Sequence, residues 1–292
     1  MNNYFSLTIE EQRQVLQAAE GRIGLPAQAI EKDLWVTTIL QIVFTLPFAD
    51  KLIFKGGTSL SKCYKLINRF SEDIDLNIET ETHPTQGQRK ALKKNIISVI
   101  EKFNFVFSNP EDIRSRRDYN RYVIDYPTLF PTNYLKEHLI VETAVYIKAY
   151  PCKKMKASSL IFDYLKANGH EPLIDQYQLH PFGVNVQTAN RTLIDKVYAL
   201  GDYYLSGDIR EHSRHVYDIF KLLNVVSLDE SLHQLAIAVC EERKPHVNCH
   251  SAKDGINMNA LLQRIIDSEA YKQDYEEITS KILFEDVEYT TA

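Results

Sequence analysis

The chain is short of cysteine, and the four it has form no pattern. Cys63, Cys152, Cys240 and Cys249 include no CxxC pair, which excludes a disulfide framework and a zinc ribbon and leaves reduced thiols. Long hydrophobic runs are missing too. None approaches the roughly 18 to 20 residues of a membrane-crossing helix, and the opening MNNYFSLTIEEQRQ has no basic segment leading into an apolar core. The expected location is the cytoplasm. Nor is there an excess of positive charge, because 34 Lys and Arg stand against 39 Asp and Glu, a formal charge of −5. A surface coated for indiscriminate nucleic-acid binding is thereby excluded, whereas a local basic groove is not. Repeats and low-complexity tracts are absent. What remains is a globular composition, 44% apolar and 25% charged over 292 residues, enough for one large domain or two modest ones.

Thr8-Ile9-Glu10-Glu11 has the spacing of a capping box, so a helix to about Ala19 is expected. Pro26 sits where a second helix would open, with Ile30, Leu34, Thr37, Thr38 and Gln41 along one side and an end before Pro47. Leu52-Ile53-Phe54 suits a buried strand running into a two-glycine turn, and residues 59–67 then take helical spacing, with Leu60, Tyr64 and Ile67 on one face. Ile74, Leu76 and Ile78 alternate with Asp73, Asp75 and Asn77, the period of a strand with one apolar and one polar face. A polar loop over 82–87 leads to a basic helix over 88–102, then to strands near 104–107 and 119–125. Residues 139–150 show a long strand pattern, with Val141, Val145 and Ile147 on one face and Glu142, Ala144 and Tyr146 on the other. Beyond a short strand at 184–186 the character is helical, over 192–204, 211–224 and 231–243. The expected fold is α+β: a mixed sheet flanked by helices in residues 1–187, followed by a mostly helical domain in 188–292.

Asp73 and Asp75 carry the first hint of chemistry. At i and i+2 on one strand face, their Cα atoms lie about 6 to 7 Å apart. Like charges that close repel; one remedy is a shifted pKa on one of them, and the other is a divalent cation, since hard carboxylate oxygens bind Mg²⁺ well. Such an ion also neutralises triphosphate charge in nucleotidyl transfer. A bare DxD is common at strand ends, so the preceding Gly56-Gly57-Thr58-Ser59 turn matters. Small residues between a strand and a helix let backbone amides approach phosphates, and the two hydroxyls can add hydrogen bonds. On its own the turn is also explained by the backbone freedom of glycine.

The stretch FKGGTSLSKCYKLINRFSEDIDL, residues 54–76, resembles the AbiEii/AbiGii toxin family of nucleotidyltransferases, typified also by MenT-like toxins, within the DNA polymerase β-like superfamily. The resemblance extends upstream through Ile30-Glu31-Lys32-Asp33-Leu34-Trp35-Val36-Thr37 and downstream to Asp195-Lys196-Val197-Tyr198-Ala199 and Arg214-His215-Val216-Tyr217-Asp218. It implies that Gly56, Gly57, Thr58 and Ser59 cradle nucleotide phosphates, that Ser71 belongs to the same signature, and that Asp73 and Asp75 bind the catalytic metal. Lys196 would hold the triphosphate and Asp218 would complete the site from the helical half. Enzymes of this fold often use a third acidic residue on a neighbouring strand, for which Glu142 is the candidate. The implied activity is Mg²⁺-dependent transfer, with Mn²⁺ as an alternative ion, of a nucleoside monophosphate from an NTP co-substrate to an acceptor hydroxyl. By resemblance the acceptor is RNA such as the tRNA 3′ end, and the protein is a toxin with a cognate antitoxin. A protein or small-molecule acceptor, and a catalytically silent partner-binding module, are the competing readings.

Read without the family, Lys196 lies at the edge of a core stripe formed by Leu193, Val197, Leu200 and Tyr204 and can reach outward on its flexible stem. Arg214 and Asp218, at i and i+4, have the spacing of a helix ion pair. Glu31 and Asp33 are expected to be solvated or ion-paired, and Trp35 to be core. His246, Cys249 and His250 are expected on a surface loop rather than in a metal site. For a polymeric acceptor two basic clusters stand out: Arg114, Arg116, Arg117 and Arg121 interleaved with Tyr119 and Tyr122, and Lys153, Lys154 and Lys156.

Overall fold

The computed structural model describes residues 3–79, 84–114, 118–131 and 137–292. Two compact units are formed: the first from Met1–Tyr64, Ser71–Tyr146 and Cys152–Val186, the second from Lys65–Phe70, Ile147–Pro151 and Gln187–Ala292. Arg116 and Arg117 of the arginine cluster, and part of the polar loop before residue 84, lie outside the described residues.

In the first unit, α1 (Ile9–Ile23) starts at the expected capping box, the Thr8 side chain accepting from the Glu11 N–H while the Glu11 carboxylate accepts from the Thr8 N–H at 2.8 Å. Helix α2 (Ala27–Val43) opens after Pro26 and is buried almost all round. Strand β1 (Leu52–Lys55) feeds α3 (Gly56–Lys62), and β2 (Asp73–Ile78) follows. Helix α4 (Gln86–Lys102) begins at a second capping box, Thr85 with Gln88, whose T-x-x-Q spacing is present in the sequence. Then come β3 (Val106–Phe107), β4 (Tyr119–Asp125), β5 (Leu139–Ala144), β6 (Cys152–Ala157), α5 (Leu160–Ala167), α6 (Glu171–Tyr177) and β7 (Phe182–Gln187).

The strands form one mixed sheet in the order β3-β4-β5-β2-β1-β7-β6. Pairing is antiparallel for β1·β2, β3·β4 and β4·β5 and parallel for β1·β7 and β2·β5. One face is the core: Leu52, Phe54, Ile74, Leu76, Leu139, Val141, Tyr122, Ile124, Val184 and Val186 pack with Trp35, Ile39, Leu40 and Val43 of α2 and with Leu92, Ile96 and Ile100 of α4. Each such fully buried side chain contributes about 1.5 to 3 kcal/mol. Period-2 alternation then turns Lys55, Asp73, Asp75, Arg121 and Glu142 to the opposite face. A second cluster joins α1, α2, α5 and α6 through Leu16, Ile30, Leu34, Ile161, Leu165 and Ile174.

Two expected boundaries move. The strand pattern over 139–150 stops at Ala144, where the Val145 N–H turns to the Asp118 carbonyl at 2.9 Å. The helix expected over 59–67 starts three residues earlier, at Gly56, and ends at Lys62, so the glycines form its first turn rather than a loop before it. Glu31, Lys32 and Asp33 are all buried; of the two acids expected to be solvated or ion-paired, Asp33 is ion-paired and Glu31, among the described residues, is neither, being held by hydrogen bonds. Glu31 accepts from the Leu129 N–H at 2.6 Å and the Thr128 hydroxyl at 2.9 Å, Lys32 pairs with Glu72 at 2.5 Å, and Asp33 pairs with Lys62 and accepts from the Leu160 N–H at 2.8 Å. Successive helix positions point about 100° apart, so three charged neighbours tether α2 in three directions. Trp35 is core as expected.

The second unit is largely helical, with α7 (Ala189–Ser206), α8 (Arg214–Leu223), α9 (Glu230–Arg243) and α10 (Met258–Asp267). Helix α7 is capped by Thr188, whose side chain accepts from the Arg191 N–H, and stopped by Gly207 at φ +76°. Leu200 of α7 meets Leu261 and Ile265 of α10 and Tyr271. Cys249 is buried, and burial pushes its thiol pKa up, so it does not belong to a surface loop. All four cysteines are free thiols.

Candidate active site

On the polar face of the sheet, Asp73 and Asp75 are half-buried two residues apart on β2. Strand register places Glu142 beside Asp75 on the parallel neighbour β5, one strand spacing of about 4.8 Å away. The same register continues in both directions, with Lys55 opposite Asp75 on β1 and Arg121 opposite Glu142 on β4. A row of four side chains, positive, negative, negative, positive, therefore crosses four adjacent strands. Flanking cations moderate the repulsion between the central carboxylates.

The glycine turn is fitted to this row. Gly56 has φ +76°, and a Cβ there would meet Asp75 Oδ2 at 2.0 Å, so both backbone conformation and space require glycine. The adjacent hydroxyls turn inward: Thr58 Oγ1 donates to the Asp73 carbonyl at 2.5 Å and lies 2.9 Å from Ser71 Oγ, while Ser59 Oγ donates to the Gly56 carbonyl at 2.8 Å. Both residues are buried. Thr58 and Ser71 thus bind the turn to the start of β2, and Ser59 closes the turn on itself. At Gly56 and Gly57 the first-turn N–H groups of α3 lack carbonyl partners within the helix.

Glu142 is oriented by β4. Tyr119 Oη donates to Glu142 Oε1 at 2.7 Å, and Arg121 Nε lies 3.7 Å from the same oxygen, so both contacts go to one carboxylate oxygen. Burial raises the Tyr119 pKa, and the charges of Glu142 and Asp75 raise it further; the phenol stays protonated and keeps donating. Neither Tyr119 nor Arg121 was assigned to the site by sequence, although their alternation on 119–125 was visible. Only the pairing of β4 with β5 could bring them to Glu142.

In the second unit, Lys196 of α7 and Asp218 of α8 meet, Nζ to Oδ2 at 2.6 Å. Lys196 is buried rather than reaching outward from the edge of its stripe. Asp218 pairs not with Arg214 but with Arg69, which donates from Nε to Oδ1 and from Nη2 to Oδ2, both at 2.7 Å. The guanidinium fork of Arg69 thus meets both carboxylate oxygens with parallel hydrogen bonds. Burial acts to raise the Asp218 pKa, but Arg69 and Lys196 outweigh it and hold the carboxylate well below its usual range. Burial lowers the Lys196 pKa against the pull of Asp218. His215, whose Nδ1 is 3.5 Å from Lys196 Nζ, is held neutral by burial and by the nearby charges of Lys196 and Arg214.

Among the described residues no three His, Cys, Asp or Glu side chains converge as a ready-made metal group. The donor chemistry of the sheet face nevertheless fits a hard divalent ion, which binds through one or two carboxylates and completes its shell with phosphate oxygens and water. Taken together, the mixed sheet, the glycine turn and the carboxylates beside it define the class as a nucleotidyl transferase, and this agrees with the comparison to known families. The model described as "Nucleotidyl transferase AbiEii toxin, Type IV TA system" matches residues 38–290. The chain belongs to the AbiEii nucleotidyl transferase toxin family of type IV toxin–antitoxin systems, and is a transferase enzyme with an NTP substrate and an antitoxin counterpart. The match begins beyond Ile30–Thr37, so that part of the resemblance lies outside it. A comparison with curated proteins returned no match. No helix among the described residues is long and apolar enough to cross a membrane.

Proposed function

We propose that the protein transfers a nucleoside monophosphate from an NTP to a hydroxyl of RNA, such as the tRNA 3′ end, with release of pyrophosphate. The observation that supports this reading best is the row on the sheet face, two aspartates with Glu142 in register and a glycine whose missing side chain makes room for Asp75. Asp73, Asp75 and Glu142 would hold a divalent cation, Mg²⁺ or alternatively Mn²⁺, which when bound neutralises phosphate charge and stabilises the attacking and leaving oxygens. The backbone of Gly56 and Gly57 would receive the phosphates, with Thr58 and Ser71 keeping the turn against β2 and Ser59 closing it on itself. Tyr119 and Arg121 hold one oxygen of Glu142 and leave Oε2 to the ligand. Lys196 is assigned to the triphosphate by family resemblance, with Asp218 and Arg69 orienting its ammonium.

The test is incubation with Mg²⁺, each of the four labelled NTPs and total tRNA. With α-labelled NTP the label is expected on RNA, and with γ-labelled NTP it is expected in pyrophosphate released only in the presence of an acceptor. Label appearing instead on protein or on a small molecule would overturn the RNA assignment. In the same assay Asp73→Ala is expected to lose at least about a hundredfold in rate, more than the loss typical of outer-shell metal partners, with the fold intact by circular dichroism.

A further inference from the structure

We infer that edge strand β6 is a docking rail for the sugar–phosphate backbone of the RNA acceptor, an inference that rests on the RNA-directed reading above. Strand β6, sequence CKKMKA, closes one end of the sheet. Its Met155 and Ala157 join the core face, so alternation turns Lys154 and Lys156 to the face that carries Asp73 and Asp75. Both lysines are exposed, and among the described residues neither has an acidic partner. Lys153, on the core-facing register, is held over the Tyr64 ring at 4.8 Å at the same edge. Three strand spacings separate β6 from β2, roughly 14 Å, so a chain laid along the lysines lies on the carboxylate face within reach of the catalytic strand.

Within the other basic cluster, Arg116 and Arg117 lie outside the described residues. Arg121 is committed to Glu142, inside the row that holds the carboxylates. Three lysines on one short strand, two of them without an acidic partner among the described residues, in a chain of net charge −5, are a local exception that a polyanion would recognise, since phosphate neutralisation and counterion release drive such binding. Lysine on an edge strand also deters other chains from extending the sheet. Glutamate serves that purpose equally well but repels phosphate, and charge reversal therefore separates the two roles.

The experiment is fluorescence anisotropy of a labelled single-stranded RNA over a salt series, read alongside the NTP-labelling assay. Lys154→Glu/Lys156→Glu is expected to weaken binding at least about tenfold at low salt and to reduce the salt slope by roughly 1.4, two phosphate contacts at about 0.7 each. Lys154→Arg/Lys156→Arg should bind like the parent protein. Lys90→Glu/Lys94→Glu, the same charge change on the exposed side of α4, should leave binding within about twofold. Unchanged affinity in the β6 reversal, an equal loss in the α4 control, or no RNA binding by the parent protein would each overturn the rail. Failure of the functional reading looks different: RNA bound through β6 but never labelled by any NTP. Conversely, RNA labelled equally well by the parent and the β6 reversal leaves the function standing and removes the rail.

Discussion

Two gatherings of charge in this molecule are built on opposite principles. On the sheet of the first unit, Asp73, Asp75 and Glu142 place like charges side by side on a half-exposed face, with Lys55 and Arg121 at the ends of the row that runs through Asp75 and Glu142. In the second unit, Asp218 is buried against two cations, Arg69 and Lys196, at hydrogen-bonding distance. Neutralised burial holds a fold together, because leaving either partner alone would strand a charge away from water. Adjacent carboxylates at a partly solvated face cost stability, and that cost is offset when a ligand supplies positive charge. The difference teaches where to look for chemistry: accumulated charge of one sign beside a fitted glycine, rather than the tightest ion pairs.

Substitutions in each gathering, read for stability and for transfer, sharpen this contrast. The largest effect is expected from Asp218→Ala, which strands Arg69 and Lys196 and should lower unfolding free energy by about 3 to 5 kcal/mol in a urea titration. Asp75→Ala should do the reverse, abolishing transfer while changing stability by less than about 1 kcal/mol; a collapse of stability would show that the row is structural. Gly56→Ala comes next. Its Cβ would collide with Asp75 Oδ2 at a backbone φ of +76°, costing about 1 to 2 kcal/mol for the left-handed conformation and displacing the carboxylate, so activity should fall further than stability accounts for. Tyr119→Phe removes one hydrogen bond to a charged oxygen, about 1.5 kcal/mol, and should reduce kcat roughly tenfold with little change in the KM for NTP.

The smallest effect concerns pH and only the second unit. His215 has a folded pKa well below 6.5, so at mildly acidic pH the unfolded chain binds more protons than the folded one. Stability that His215 contributes is thus fully present above about pH 6.5 and is lost as pH falls toward the folded value. Asp218 has the same sign in a lower window, below the ordinary carboxylate range near 3.9. Thermal melts of His215→Gln should show a shallower loss between pH 6.5 and 5 than those of the parent protein, and an identical slope would remove His215 from the account.

Much of the first unit was legible because its signals are local. The capping box at Thr8, the alternation across residues 73–78 and the glycines between a strand and a helix each follow from neighbours a few positions away; the structure places the first two where their patterns predict and draws the glycines into the first turn of the helix. Partners distant in sequence were not legible. Nothing near Asp218 indicated Arg69, which lies 149 positions away, and the nearer Arg214 was the reasonable local choice. That Glu31, Lys32 and Asp33 are buried, and by what, was hidden because each of their partners comes from a different later segment. Thr58 and Ser59 offered hydroxyls that suited phosphate, yet folding spends them on the turn itself.

The sequence by itself determined the strand face that carries Asp73 and Asp75, the glycine turn before it and, through the family motifs, the class of reaction. Periodicity is set by backbone geometry, which reaches only a few residues, and a signature is a string. Tertiary structure alone decided that Glu142 stands beside Asp75 with Tyr119 and Arg121 behind it, that Gly56 yields its space to a carboxylate, and that Asp218 is neutralised by Arg69 and Lys196. Each of these depends on which strand or helix lies next to which, and that choice is made by burying the whole core at once.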